Sequence, residues 1–272
     1  MDLKVDLTHK AAVITGGAGI LCSHMAKGLA AQGAKVAVLD LRLEEAHKVA
    51  AEVRAAGGTA IGIAVDVLDQ ESLERARVAV LKEYGTVDIL INGAGGNSPQ
   101  ATTGPDQSFF DLTAAGMQKV FNLNFLGTVL PTQVFGKVMT EKKKGVIINI
   151  SSMAAFTPLT RTVAYSAAKA AVSNFTQWMA VHFNQEYSRE IRVNAIAPGF
   201  LLTDQNRYLL TDETTGQPTL RGQNVLNATP MGRYGLAEDL VGTILFLCSD
   251  AASFINGAVI PVDGAFSAYS GV

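Results

Sequence analysis

The sequence has few of the features that mark secreted, membrane-spanning or metal-binding proteins. It contains only two cysteines, Cys22 and Cys248, which are far apart in apolar helical patterns. They predict buried free thiols rather than a disulfide framework. No apolar run reaches the roughly 18 residues that a membrane span needs. His24, His47 and His182 are isolated on helical patterns, so we expect no metal site.

Charged residues are also scarce, and no basic stripe is present. Only 17% of the 272 residues are charged and the net charge is −2, which argues against a nucleic-acid partner. The first residues lack the basic and hydrophobic regions of a signal peptide. We therefore expect a cytoplasmic protein with no membrane partner. Since 48% of the residues are hydrophobic, the chain can bury a sizeable core.

Short apolar runs alternate with longer helical patterns along the whole chain. Because these runs are apolar throughout, they are typical of parallel strands that are covered on both faces. The alternation predicts an α/β fold: one domain, residues 1–272, with a doubly wound parallel sheet of seven strands. The predicted strands are Ala11–Thr15, Lys35–Leu39, Ala60–Val65, Val87–Ile91, Val146–Ile150, Ile191–Ile196 and Ala258–Val262. The predicted helices are Leu21–Gln32, Leu43–Ala56, Gln70–Glu83, Ala114–Met139, Val163–Phe183 and Ala237–Ser249.

One segment, about 200–233, interrupts this alternation. It is rich in Thr, Asp, Asn, Gln and Gly and has too little apolar content for a core helix. Long insertions of this kind in compact domains are more often functional lids than spacers. We interpret the segment as a polar lid over a substrate site.

A glycine-rich run, Thr15–Gly19, follows the first predicted strand and opens the first helix. In that context glycines let the backbone approach a pyrophosphate at a helix N-terminus. Asp40 ends the second strand, where a carboxylate accepts hydrogen bonds from ribose hydroxyls and repels a 2′-phosphate. This favours NAD over NADP, although the nearby Arg42 could accommodate the phosphate. Asp66, after the third strand, could bind the adenine amino group or cap the next helix.

Tyr165 and Lys169 are spaced to lie on one face of a helix, and Ser152 follows a buried strand. A neighbouring cation lowers the pKa of a phenol, which can then exchange a proton with a substrate hydroxyl or carbonyl. Taken alone, a Tyr-x-x-x-Lys pair is usually just an exposed helix face. The serine and the glycine-rich run favour the catalytic interpretation.

Together these motifs resemble the short-chain dehydrogenase/reductase family, and the match runs from about Ala11 to Gly264. The matching motifs are the nucleotide-loop Thr-Gly, Asn92-x-Ala-Gly, Asn124-x-x-Gly127, Ser152, Tyr165-x-x-x-Lys169, Pro198-Gly199-x-x-x-Thr203 and Val262-Asp263-Gly264. The resemblance implies a Rossmann-type fold and direct hydride transfer to or from a nicotinamide. It also implies a homotetramer, paired through the two long helices predicted at 114–139 and 163–183.

The resemblance implies a role for each motif residue. Tyr165 is the general acid/base and Ser152 holds the substrate oxygen. Lys169 lowers the pKa of Tyr165 and binds the nicotinamide ribose, and Asn124 helps to hold a water that connects Lys169 to solvent. The residues expected at the cofactor are Gly16, Gly19, Ile20, Leu21, Asp40, Asp66, Val67, Asn92, Ala94, Gly95, Tyr165, Lys169, Pro198, Gly199 and Thr203.

Two positions depart from the family pattern. Ile20 and Cys22 stand where the second and third glycines of Thr-Gly-x-x-x-Gly-x-Gly belong. Gly93 replaces the second asparagine of Asn-Asn-Ala-Gly. We expect a reshaped loop rather than a deletion, with the phosphate contacts left open and the proton-transfer residues unaffected.

Several stretches resemble more narrowly the bacterial D-mannonate oxidoreductases (fructuronate reductases) of this family, namely 122–133, 156–160, 174–178, 203–207 and 266–272. This resemblance implies interconversion of D-mannonate and D-fructuronate with NAD. A sugar acid needs a cation for its carboxylate and amide or hydroxyl partners for its hydroxyls. The candidates are Asn97, Thr157, Arg161, Gln205, Asn206 and Arg207, with Arg161 or Arg207 as the carboxylate clamp.

Other functions are compatible with the same residues. One is a polyol or sugar-acid dehydrogenase of the gluconate or deoxygluconate type. Another, of a different class, is a non-catalytic regulator that binds a dinucleotide, because a fold does not determine a function. The intact set of Asn124, Ser152, Tyr165 and Lys169 argues against the regulator.

Overall fold

The computed structural model describes residues 5–203, 207–212 and 214–271. Seven strands form one sheet in the order β3-β2-β1-β4-β5-β6-β7, and all neighbouring pairs are parallel. The strands are β1 (Ala11–Thr15), β2 (Lys35–Asp40), β3 (Thr59–Ala64), β4 (Ile89–Asn92), β5 (Gly145–Ile150), β6 (Ile191–Pro198) and β7 (Val259–Val262). The order reverses between β1 and β4, which is the switch point at which such sheets bind ligands beyond their carboxyl ends. The predicted doubly wound sheet is confirmed.

Helices cover both faces of the sheet. One core cluster joins the strands to α1 (Ile20–Ala31), α2 (Leu43–Ala55) and α9 (Val241–Cys248). The opposite cluster joins them to α3 (Gln70–Tyr84), α5 (Gly127–Glu141) and α6 (Val163–Glu186). Successive residues of β1 alternate between the two clusters, with Val13 in one and Ile14 in the other. Burial of both strand faces explains the continuous apolar runs of the sequence.

The long helix predicted over Ala114–Met139 is interrupted. It consists of α4 (Ala114–Phe121), a wider π turn (Asn122–Leu126) and then α5. The amide of Asn124 donates to the carbonyl oxygens of Val120 at 2.8 Å and of Gly96 at 2.7 Å. Pro131, inside α5, has no N–H for the regular helical bond. The predicted span is therefore helical throughout, as expected, but a π turn separates two α-helices where these contacts replace part of the regular ladder.

The described part of the polar segment 200–233 contains two short helices, α7 (Arg207–Leu210) and α8 (Leu220–Asn227). The last predicted helix begins as a 3₁₀ turn, Ala237–Leu240, before α9. Within the described ranges, no helix has the length and apolar character needed to cross a membrane. In the same ranges, no three His, Cys, Asp or Glu side chains lie close enough together to hold a metal ion. Cys22 and Cys248 are free and buried.

Candidate active site

Three motif residues meet at the carboxyl end of β5 and the start of α6. Ser152 follows β5 and begins a 3₁₀ turn, where its Oγ accepts the N–H of Ala154 at 3.2 Å. Tyr165 lies in the first turn of α6, and Lys169 lies one turn later. The Nζ of Lys169 is 5.6 Å from the centroid of the Tyr165 ring and donates to the carbonyl of Ile150 at 2.7 Å. That bond fixes the ammonium to the end of β5.

Burial controls the ionisation of this pair. It raises the pKa of Tyr165 above the usual value for a phenol, while a hydrogen bond with the Ser152 hydroxyl acts in the opposite direction. It also lowers the pKa of Lys169 to about 8. Desolvation by burial thus dominates the pKa of Tyr165 in the protein alone. The lowering of this pKa by Lys169 stays a prediction.

Asn124 reaches the same place from the π turn. Its Oδ1 accepts the N–H of Gly96 at 3.2 Å, in the loop that follows β4. A Cβ on Gly95 would come within 2.6 Å of this Oδ1 and 3.3 Å of the Nζ of Lys169. The glycine thus lets the amide and the ammonium approach one point of the loop. The water that Asn124 is expected to hold stays a prediction.

The glycine-rich run forms a tight loop between β1 and α1. Gly16 has a φ of 60°, and a Cβ there would lie 2.8 Å from the Cα of Ala94. The next helix begins at Ile20 after Gly19, with no capping side chain and no acidic residue in its first turn. The first N–H groups of such a helix suit an anion. The backbone of Gly16, Gly19, Ile20 and Leu21 is therefore arranged as a pyrophosphate site requires.

The two departures from the family pattern are adjacent in space. A Cβ on Gly93 would overlap the Sγ of Cys22. The thiol of Cys22 is buried, and burial raises its pKa to about 12, so it serves as an uncharged packing group. Cys22, in the first turn of α1, thus occupies the space that a side chain at position 93 would need. Neither departure could be interpreted from the sequence, because Cys22 is on a helix and Gly93 follows a strand that is distant in the chain.

Asp40 is buried at the end of β2, with 8% of its surface exposed. Its carboxylate accepts the N–H of Ala18 at 3.2 Å and the N–H of Arg42 at 3.1 Å. The side chain of Arg42 also approaches it, with Nε at 3.4 Å. This arrangement puts a carboxylate directly beside the nucleotide loop and ties the nearby guanidinium to it.

The other predicted cofactor residues lie at neighbouring strand ends. Asp66 follows β3 and accepts the N–H of Leu68 at 2.9 Å. It does not cap α3, because Asp69 does so by accepting the N–H of Glu71. Val67 is buried beside it. Asn92 ends β4, and its amide is used inside the fold, where it donates to Thr132 and Asn149.

The end of β6 completes this edge. Pro198 is its last residue, and Gly199 follows it. A Cβ on Gly199 would lie 2.6 Å from the Cα of Asp263, so the glycine permits close approach to the chain after β7. Thr203 lies further along, and its carbonyl accepts the N–H of Arg207 at 2.9 Å.

Of the predicted substrate residues, Thr157 and Arg161 line a cavity of about 360 Å³ beside the loop from Ser152 to Tyr165. Asn97 and Arg207 are not among the residues that line it, and the amide of Asn97 donates to Thr102 at 2.8 Å. Gln205 and Asn206 lie outside the described residues. The remaining lining residues are Pro158, Leu159, Thr160, Phe200, Leu220, Arg221, Asn224, Val225, Ala228 and Phe266.

Thr160 lines the cavity but was not predicted from the sequence, and neither were two polar residues of α8, Arg221 and Asn224. Their spacing places them on one face of α8, and an arginine in the first turn of a helix without an acidic neighbour is unusual. That pattern was a usable signal. Only the folding of segment 200–233, however, brings α8 to the same cavity as the loop that carries Arg161.

Comparisons with known proteins agree with this geometry. A family model described as short chain dehydrogenase matches residues 10–214. An uncharacterised oxidoreductase of Bacillus subtilis, UxuB, is 51% identical over 281 residues that cover 100% of both chains. A crystal structure of a proposed D-mannonate oxidoreductase from Haemophilus influenza with bound NAD has a TM-score of 0.92 and 52% identity, and 98% of each chain is covered.

A more distant relative acts on a different kind of molecule. The 7α-hydroxysteroid dehydrogenase of Escherichia coli K12 is 33% identical over 263 residues, which cover 97% of this chain and 95% of that protein. Substrates therefore differ widely among relatives that share the same scaffold. From the matched family model and these relatives, the chain belongs to the short-chain dehydrogenase/reductase family and is an oxidoreductase.

Proposed function

We propose that this protein is an NAD-dependent dehydrogenase that interconverts a secondary alcohol and a ketone of a sugar acid, with D-mannonate and D-fructuronate as the leading pair. One observation carries the proposal. The loop that joins Ser152 to Tyr165 lines a cavity together with α8; Arg161 and Arg221 are among its lining residues, and none of the described ones is acidic. The similarity to a proposed D-mannonate oxidoreductase supports the same assignment.

The residues at the strand ends fit a nicotinamide dinucleotide. The loop of Gly16 and Gly19 would hold the pyrophosphate, and the carboxylate of Asp40 would hold the adenosine ribose and repel a 2′-phosphate. We therefore assign NAD rather than NADP. When bound, the cofactor supplies the nicotinamide carbon that accepts or returns the hydride.

The chain's own residues handle the proton. In alcohol oxidation the phenolate oxygen of Tyr165 takes the proton of the substrate hydroxyl, and the Ser152 hydroxyl donates a hydrogen bond to the same substrate oxygen. Lys169, fixed by the carbonyl of Ile150, places a positive charge next to the phenol. In ketone reduction Tyr165 returns the proton to the developing alkoxide.

An activity screen tests this assignment. We would incubate the protein with NAD or NADP and with D-mannonate, D-gluconate, deoxygluconate and neutral polyols, and follow absorbance as the reduced cofactor forms. D-mannonate with NAD should give the highest kcat/KM. A higher value for gluconate or deoxygluconate would select the alternative dehydrogenase, and no turnover of any of these alcohols would favour a non-catalytic regulator.

We also propose a homotetramer that pairs through α5 and α6, with segment 200–233 acting as the substrate lid. Trp178 supports the pairing, because 57% of its surface is exposed although it stacks on His182 at 4.6 Å between ring centroids. Light scattering of the wild type and of Trp178→Lys would test it. A tetramer in both proteins would contradict this choice of surface.

A further inference from the structure

Two arginines bring positive charge to the cavity beside the Ser152–Tyr165 loop. Arg161 and Arg221 line it, and none of the described residues that line it is acidic. In the described part of the chain, neither guanidinium forms a hydrogen bond or an ion pair. Arg233, in the same polar segment, is instead tied to Asp239 by contacts of 2.6 and 2.9 Å. The two cavity arginines are thus available to an external anion.

Arg221 occupies a position that is unfavourable for its helix. Thr219 caps α8 by accepting the N–H of Gly222 at 3.0 Å, and the first turn contains no acidic residue. The guanidinium of Arg221 therefore adds its charge to the positive end of the helix dipole. Local conflicts of this kind are expected at functional sites. A bound anion would offset both sources of positive charge.

Arg161 is held in a defined backbone geometry. Its φ of 74° is in the left-handed region, which non-glycine residues seldom adopt. Its carbonyl accepts the N–H of Thr103 at 3.0 Å, so a distant segment supports this conformation. The turn lies between Ser152 and Tyr165 in the chain. Arg161 is consequently carried on a supported turn next to the proton-transfer residues.

The rest of the cavity suits a small polyhydroxy molecule. The hydroxyl of Thr157 and the amide of Asn224 both line it, and neither side chain is hydrogen-bonded within the described ranges. Phe200 and Phe266 form an aromatic wall, with ring centroids 5.2 Å apart. A volume of about 360 Å³ is within the range of small-molecule sites.

We propose that Arg161 and Arg221 together bind the carboxylate of the substrate, and so select sugar acids over neutral polyols of the same carbon skeleton. This inference rests on the proposed function. Guanidinium and carboxylate groups form bidentate, charge-assisted hydrogen bonds, which gives the pair both affinity and orientation. Thr157 and Asn224 are then left for the substrate hydroxyls. Arg207, the other candidate from the sequence, has no part in this clamp.

The test compares charged and neutral substrates in matched variants. Arg161→Met, Arg221→Met and the double variant remove the charge, and Arg221→Lys keeps the charge without the bidentate geometry. Arg189→Met is the control, because Arg189 is exposed before the amino end of β6. For D-mannonate, each methionine variant should raise KM by roughly 10- to 100-fold, with a smaller effect on kcat. With D-mannitol as the neutral probe, the change should stay below about threefold, since no carboxylate is present.

Two measurements separate this inference from the proposed function. Calorimetry measures D-mannonate binding to the protein saturated with NADH, without the need for turnover. If the wild type oxidises D-mannonate and the variants keep its KM and its preference over D-mannitol, the clamp is wrong and the function stands. If the wild type shows no turnover but binds D-mannonate and the methionine variants do not, the clamp is supported and the function is wrong. No binding by the wild type overturns the clamp.

Discussion

The nucleotide half and the substrate half of this active site are built in different ways. In the nucleotide half, Asp40 is buried and its carboxylate is already hydrogen-bonded to the backbone of Ala18 and Arg42. In the substrate half, Arg161 and Asn224 are exposed, and their side chains have no partners within the described ranges. The cofactor side is therefore organised by folding itself. The substrate side must be ordered by its ligand, at a cost of about 0.5–1.5 kcal/mol per immobilised side chain.

This difference suits the chemistry of the two ligands. Glycines and buried groups create a backbone surface that is shaped for one dinucleotide, as Gly16 shows by its close approach to Ala94. Exposed polar side chains on a loop and a lid can be exchanged without disturbing the core. Relatives that act on different substrates can therefore share one scaffold. If the two halves are independent, a substitution in one half should leave ligand binding to the other half unchanged.

The largest effect is expected where the halves meet. Tyr165→Phe removes the proton-transfer oxygen and should lower kcat by about 10³-fold. The nucleotide half is untouched, so the dissociation constant of NADH, measured by fluorescence, should change by less than about threefold. Near-normal turnover would overturn the mechanism, and a large loss of NADH binding would show that the halves are coupled.

Lys169 should make stability depend on pH. Its pKa is about 8 in the folded protein, against 10.5 ordinarily. Below pH 8 the ammonium of Lys169 is protonated in both the folded and the unfolded protein, and its burial as a charge lowers the stability of the folded state. Between pH 8 and pH 10.5 the unfolded chain binds more protons than the folded protein, so the free energy of unfolding rises with pH. From pH 7 to pH 10 it should increase by about 2.5 kcal/mol relative to Lys169→Met.

Denaturant titrations at each pH measure this difference. The methionine variant is the matched control, because its side chain is long and apolar and does not titrate. Parallel stability curves for the two proteins would mean that Lys169 is solvated in the folded state. The contrast between the two halves would then be weaker, because the ammonium of Lys169 would be solvated like the exposed groups of the substrate half.

The features predicted from the sequence are those that depend on local patterns. Continuous apolar runs indicated the buried strands, and the spacing of Tyr165 and Lys169 indicated one face of α6. The π turn could not be predicted, because it depends on a bond from Asn124 to Gly96 in a distant loop. The raised pKa of Tyr165 is a consequence of burial, which spacing alone does not reveal.

The clamp residues show the same limit on the substrate side. Arg161 lies on a motif-flanking loop and could be proposed directly. Arg221 could not be paired with it from the sequence, because the cavity forms between α8 and that loop only in the folded chain. Sequence reasoning therefore identified residues within motifs, and in both halves it missed pairs that only the fold brings together, such as Cys22 and Gly93.

The pair of Cys22 and Gly93 should behave as a unit. Gly93→Ala alone introduces a Cβ that overlaps the Sγ of Cys22 and should weaken NADH binding and lower stability. Adding Cys22→Gly should restore part of the loss, with a coupling energy of about 1–2 kcal/mol. Rescue is expected to be incomplete, because the carbonyl of Thr15 lies 2.8 Å from the same Cβ position.

A double-mutant cycle measures this coupling through NADH affinity and thermal unfolding. Additive effects of Gly93→Ala and Cys22→Gly would show that the two departures from the family pattern are independent. A non-additive effect on affinity would place Cys22 among the groups that position the nucleotide loop. It would also show that the nucleotide half tolerates a substitution at Gly93 better when Cys22 is changed with it.

The smallest effect concerns the choice of cofactor. Asp40→Asn keeps the shape of the side chain and removes the charge, and it keeps only one of the two oxygens that separately accept the N–H groups of Ala18 and Arg42. NADP should then be used about tenfold better relative to NAD, which corresponds to about 1.4 kcal/mol, because its 2′-phosphate is no longer repelled. The ratio of the two kcat/KM values is the measurement.

Arg42→Gln serves as the control, because it leaves the carboxylate of Asp40 in place and should not improve the use of NADP relative to NAD. An unchanged ratio in Asp40→Asn would mean that the shape of the loop, rather than the charge of Asp40, selects the cofactor. Cofactor choice in the nucleotide half would then depend on the folded backbone alone.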